Sequence, residues 1–158
     1  MPSHSDNGLR DLPARGRLLG LDLGSKTIGL AISDSLRTVA SPLETLRRGK
    51  LLQDVAALQA VIAGRQVVGL VLGLPVNMDG SEGPRCQSTR QFARNLAKSG
   101  IALPLAFWDE RLSSAAVERF LVQEADMTRA RRAAVVDKMA AAYILQGALD
   151  ALARPRAE

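Results

Sequence analysis

Residues 18–34, LLGLDLGSKTIGLAISD, set a carboxylate inside an apolar run that otherwise reads as sheet core. Leu18, Leu19, Leu21 and Leu23 form a short strand with Asp22 near its carboxyl end, and a second apolar run, Ile28 to Ile32, follows just beyond Gly24-Ser25-Lys26. A connection that short leaves no room for a crossover helix, so the two strands pair antiparallel and Asp22 stands at the mouth of a hairpin. A carboxylate buried without a partner costs several kcal/mol or shifts its pKa until it neutralises. Asp22 therefore needs either a cation or a hydrogen-bond network, the simplest being the turn amides of Gly24 to Lys26.

The chemistry left to such a carboxylate is narrowed by what the chain lacks. His4 is the one histidine and lies in a stretch without periodicity, and Cys86 is the one cysteine. Histidine-assisted nucleophiles, zinc sites built on histidine and disulfide frameworks are thereby excluded, which leaves carboxylates. The 158 residues, 47% hydrophobic, support one core and a single domain. There is no apolar run long enough to span a bilayer, and residues 1–17 lack the apolar segment of a signal peptide, so a soluble cytoplasmic protein is expected. A net charge of +5 and a pI of about 10.1 favour a polyanionic partner. If Asp22, Glu110 and Asp137 are occupied by metal, the other side chains carry three positive charges more than that net value. Acid gathered in one site and base spread around it suit a nuclease, although a nucleotide-binding domain could share the layout.

Along the chain, residues 1–17 read as a disordered tail that contributes nothing to the core. Residues 38–46, TVASPLETL, read as a third strand, which Pro42 places at a sheet edge. Leu51, Val55, Leu58 and Ile62 predict an amphipathic helix over 50–63 that stops at Gly64. Residues 67–74, VVGLVLGL, predict a central strand covered on both faces and parallel to the first. After a turn-rich stretch, Pro84 opens a helix to about Ser99 with Thr89, Phe92 and Leu96 inward. Arg90, Arg94 and Lys98 form one stripe on it, readable as a solvated face or as a row of phosphate contacts. Residues 102–108 predict a strand delivering Asp109, Glu110 and Arg111 at its carboxyl end. Ser113 or Ser114 can cap a further helix with Val117, Phe120 and Leu121 inward. A segment with Arg129, Arg131 and Arg132 precedes a last helix, about 130–150, on which Asp137 shares an inward stripe with Ala141, Ile144 and Ala148. Residues 151–158 read as a frayed end.

Three antiparallel strands followed by two parallel ones flanked by helices form the plan of a ribonuclease H-like α/β domain, here over residues 18–150. The blocks DLGSKTIGLAISD (22–34), VVGLVLGLPVNMDGSEGP (67–84), FWDERLSS (107–114) and VVDKMAAAYILQGAL (135–149) resemble the YqgF family. Its members are described as Holliday junction resolvases and as nucleases that mature the end of pre-16S ribosomal RNA. Four blocks in the right order are far more specific than any one of them.

The resemblance implies a metal-dependent endonuclease acting on structured nucleic acid, either precursor rRNA or DNA junctions, as a monomer or homodimer. It matches Asp22, Glu110 and Asp137 to carboxylates that hold Mg²⁺ or Mn²⁺, with Asp109 a further ligand or a support to one. Oxygen-only ligands suit such ions. Lys26, Arg111 and Asn77 are then candidates for the nucleic acid backbone, as are Arg90, Arg94, Lys98, Arg129, Arg131 and Arg132. Gly24 and Gly29 would keep the hairpin clear near the metal. Position 27 is Thr, where the family frequently has a second basic residue, so one phosphate contact on that turn is expected to be missing. Two other readings are a nucleotide-binding domain of the actin and sugar-kinase kind and a nucleic-acid-binding member that does not cut. The first needs a second domain for which 158 residues leave no room; the second would be expected to lose its acids.

Overall fold

The computed structural model describes residues 8–112 and 129–154, and the side chains of 8–112 and 136–154. The expected helix after Ser113 and Ser114 lies outside the described residues. The strands are β1 (Arg17–Leu23), β2 (Thr27–Ser33), β3 (Ala40–Arg47), β4 (Val67–Leu74) and β5 (Leu105–Asp109). They form one sheet in the order β3-β2-β1-β4-β5. β1 pairs antiparallel with β2 and β2 with β3, whereas β4 runs parallel to both β1 and β5. This is the ribonuclease H-like arrangement. The middle position belongs to β1 rather than to β4; β4 is still flanked on both sides, which is why its whole length is apolar. Pro42 sits in the edge strand β3, beside a register shift between Leu30 and Ala31 of β2.

The two faces of the sheet are built from different side chains. On one, Leu19, Leu21, Ile28, Leu30, Leu70 and Leu72 pack with Val55, Leu58, Phe92 and Leu96, contributed by α1 (Leu51–Arg65) and α2 (Pro84–Lys98). On the other, Leu18, Ala31, Val71 and Ala106 pack with Ala141, Ile144, Leu145, Ala148 and Leu149 of the third described helix, α3 (Arg129–Ala153). Asp22 follows Leu18 and Gly20 on the α3 face by strand alternation. Gly64 does not stop α1. The helix runs to Arg65, and Gln66 takes the left-handed cap at φ 57°, because β4 begins at the next residue and leaves one position for the turn.

The expected amino-terminal tail needs the larger correction. Gly8, at φ 85°, leads into a single 3-10 turn, Leu9–Asp11, and Leu9 and Leu12 are buried in the α3-side core. Arg10 donates to the carbonyls of Ala151 (3.2 Å) and Leu152 (3.5 Å). A helix ends with carbonyls that have no partner within it, so a guanidinium there satisfies acceptors and favours the negative end of the helix dipole. That explains why α3 continues to Ala153 where a frayed end was expected. No helix among the described residues is long and apolar enough to cross a membrane.

A loose tail and a packed segment differ in stability. Leu9 is 4% exposed, so Leu9→Ala should lower the unfolding free energy by about 2–5 kcal/mol in urea titrations. An unchanged midpoint would return residues 8–12 to the status of a tail.

Candidate functional site

The hairpin between β1 and β2 is closed by Gly24 N–H donating to the Thr27 carbonyl at 2.8 Å. Arg48, just beyond β3, holds the same turn: its side chain donates to the Gly24 carbonyl (2.7 Å) and its N–H to that of Lys26 (2.8 Å). Asp22, 5% exposed, pairs directly with Gly29 of β2. On its other side, one step past the last paired residues Leu21 and Leu72, stands Gly73 of β4. A carboxylate is thus flanked by two glycines on the face that α3 covers.

Those glycines admit the other two acids. A methyl group on Gly29 would fall on the backbone carbonyl of Asp137, so only hydrogen lets α3 come this close to β2. The Asp137 carboxylate in turn accepts a hydrogen bond from the Thr27 hydroxyl. A methyl group on Gly73 would meet the side chain of Ile144 and, at 3.2 Å, the Cγ of Glu110. Glu110 opens a 3-10 turn, Glu110–Leu112, after β5. Strand alternation past Ala106 and Trp108 puts it on the α3 face. The three acids expected from the sequence therefore reach one region of one face, from β1, the end of β5 and α3. They are brought near one another without being gathered: among the described residues no three acid, histidine or cysteine side chains already form a metal-binding group.

Asp109 is turned the other way. Its carboxylate takes the Arg111 guanidinium at two points, 3.1 Å from Nε and 2.7 Å from Nη2, and also accepts the Arg111 N–H at 2.9 Å. Burial pushes the Asp109 carboxyl up, but the hydrogen bonds and charge of Arg111 outweigh it and the pKa lies below the ordinary value. Arg111 is raised by the same hydrogen bond. Through Nη1 it also donates to the Met78 carbonyl (3.3 Å), tying the end of β5 to the loop after β4. Arg111 is thus a brace between two loops rather than a counter-ion of the three acids.

The other candidates divide in the same way. Asn77 donates to the Ser81 hydroxyl at 3.0 Å and accepts the Gly80 N–H at its carbonyl (2.9 Å), capping its own loop. Arg90 forks onto Glu82 at 2.7 and 2.8 Å, and its guanidinium lies 4.8 Å from the Phe107 ring centre. Arg94 bonds Gln91 at 2.8 Å. Because α2 starts beyond the carboxyl end of β4 and runs back toward the start of β5, Lys98 is at the end of the stripe remote from the acids. Lys26 is exposed on the hairpin turn. Arg129, Arg131 and Arg132 lie in the first turns of α3, and their side chains are outside those described. Thr27, Gly73 and Arg48 were missed as site residues. For the first two, the glycine and hydroxyl positions around Asp22 held a signal that a strand-alternation reading could have found.

Comparison with known proteins gives a consistent result. A family model described as RuvX, Holliday junction resolvase, matches residues 16–151. A Rhodospirillum rubrum protein named "Putative pre-16S rRNA nuclease" is 65% identical over 147 residues, covering 93% of this chain and 91% of its own length. A Roseobacter denitrificans protein of the same name is 62% identical over 151 residues, covering 95% and 92%. Among solved structures, Thermus thermophilus RuvC in complex with a Holliday junction substrate superposes with a TM-score of 0.53 at 14% identity, over 85% of this chain and 94% of that one. A likeness at that identity speaks for the fold.

The close approach at Gly29 can be tested against a glycine that has open space. Gly29→Ala should cost about 1–3 kcal/mol by overpacking. Gly64→Ala, in α1 with nothing within 4 Å of the added carbon, should gain about 0.5–1 kcal/mol. Chemical unfolding of both variants checks the pair; equal effects would mean α3 does not touch β2 at Asp137.

Proposed function

The chain belongs to the RuvX (YqgF) family, and from that premise we infer that it is a divalent-metal-dependent endonuclease that processes pre-16S rRNA. The observation that supports this most directly is the arrival of Asp22, Glu110 and Asp137 on one face of the sheet, where Gly29 and Gly73 leave room beside Asp22. The donors are carboxylate oxygens, without histidine or thiolate, which is the chemistry of a site for Mg²⁺ or Mn²⁺ rather than for zinc. Asp22, Glu110 and Asp137 would hold the metal. When bound, such ions activate water and stabilise the leaving oxygen of a phosphodiester.

The protein's own part is to bring three acidic side chains to one face of the sheet, while three of the described arginines serve the loops around it. Arg111 is tied to Asp109, Arg90 to Glu82 and Arg48 to the hairpin carbonyl of Gly24. Lys26, on the turn beside the acids, is positioned to meet a substrate phosphate. The names of relatives more than 60% identical over nearly their full length favour precursor rRNA as the substrate. The description of the family favours a second reading, cleavage of four-way DNA junctions.

Purified wild type and Asp22→Asn, compared for Mg²⁺-dependent cleavage of a precursor fragment carrying unprocessed 16S ends and of a synthetic four-way junction, separate these readings. The rRNA fragment should be cut, the junction left largely intact, and Asp22→Asn should lose at least about a hundredfold in rate. Equal activity of the two proteins would remove the assignment.

A further inference from the structure

The three acids are held by different means. Asp22 is fixed in a strand with neighbours on both sides, and Glu110 by the turn that follows β5. Asp137 rides on a helix, where an aspartate side chain turns about two bonds, and it is a residue from another element that reaches its carboxylate: the Thr27 hydroxyl donates to Asp137 Oδ2 across 110 positions of sequence. Thr27 is itself held. Its carbonyl accepts the Gly24 N–H at 2.8 Å, and Gly24 packs so closely that an added carbon there would lie 3.2 Å from the Thr27 carbonyl and 3.4 Å from its hydroxyl. A β-branched side chain has few rotamers, so the hydroxyl has a defined direction.

We propose that Thr27 is a positioning residue for the metal site: its hydroxyl locks the rotation of the Asp137 carboxylate through Oδ2 and leaves Oδ1 as the oxygen offered to the cation. The proposal rests on the metal-dependent reading above. It also gives position 27 a role of its own, where the sequence suggested only a missing base. A lysine or arginine bonded to Asp137 would orient it but cancel its charge and compete with the metal. A hydroxyl orients the same carboxylate and leaves its negative charge intact. A hydrogen bond to an ionised acceptor is also among the stronger kinds, so a single neutral donor suffices to hold one helix-borne side chain.

Calorimetric titration of the full chain with Mn²⁺ tests this without a substrate. Wild type, Thr27→Ser, Thr27→Val and Asp22→Asn are compared, each with a metal-free thermal melt. Thr27→Val should bind Mn²⁺ about ten- to a hundredfold more weakly, the usual effect of removing a group that orients a ligand, while Thr27→Ser stays close to wild type. In cleavage assays the Mn²⁺ concentration for half-maximal rate should rise by the same factor in Thr27→Val, with the rate at saturating metal largely retained. If Thr27→Val does not fold at the assay temperature, Thr27→Ala supplies the hydroxyl-free comparison under the same expectation. Wild-type affinity in the hydroxyl-free variant, or Thr27→Ser as weak as Thr27→Val, overturns the role of Thr27 alone, provided Asp22→Asn has lost binding. Absence of Mn²⁺ binding by wild type overturns the metal-dependent reading and this proposal with it.

Discussion

The contact on which the site depends is that of a helix backbone with a strand backbone at Gly29. Helices ordinarily stand off a sheet by the length of the intervening side chains, and here that spacing collapses because the residues between are small. Gly20, Gly29, Ala31, Gly73 and Ala106 present the sheet to α3, and Ala141, Ala148 and Gly147 present α3 to the sheet. At Gly20 an added carbon would meet the Leu145 Cβ at 2.8 Å, and at Gly147 the Trp108 ring at 2.8–2.9 Å, so the close seat extends along the helix. The opposite face of the same sheet carries Leu19, Leu21, Ile28, Leu30, Leu70 and Leu72. Bulk on one side holds the strands in place. Small residues on the other let α3 bring the backbone of Asp137 against Gly29, the residue that pairs with Asp22.

Charge is arranged to the same end. Burying Asp22 is unfavourable unless the lost hydration is replaced. Three of the described arginines brace loops near the site: Arg111 joins the end of β5 to the loop after β4, Arg90 closes that loop through Glu82, and Arg48 clamps the hairpin. Each brace stiffens a segment that borders the acids without entering among them. Loop-bracing arginines and a face that gathers acids are two uses of charge that a net value of +5 does not distinguish.

Much of the fold was legible from the sequence because its signals are local. The short gap after Asp22 dictated a hairpin, the proline an edge strand, and the uninterrupted apolar run of β4 a strand with neighbours on both sides. Misreadings came where the deciding partner is distant. Leu9 and Leu12 are separated from α3 by more than a hundred residues, so a segment rich in Gly, Pro and charge read as tail until the core they enter was known. Residues 151–153 of the expected frayed end are helix for the same reason, since Arg10 caps them. Among the expected site residues, Asp22, Glu110 and Asp137 come to one face of the sheet, whereas Asn77 and Arg90 bond within their own loop. Composition and spacing locate a polar side chain on an element; whether a neighbour has already claimed it depends on rotamers and packing that no spacing encodes.

The same distinction bears on Asp137. Helical periodicity identified it as an inward acid but could not say what fixes it, since a helix sets the position of a Cα and leaves the carboxylate free to rotate. The missing information lies in the hairpin, where Asp22, Thr27 and Gly29 fall within eight residues and on one face. Asp22 supplies an acid, Gly29 the approach distance of the second acid's backbone, and Thr27 the hydroxyl that takes its side chain. One turn of chain thus positions two of the three carboxylates, one of them carried by a helix more than a hundred residues away. A rigid antiparallel hairpin defines side-chain directions more tightly than a helix docked through small residues can, and the sheet, rather than α3, sets the geometry of the acid that α3 carries.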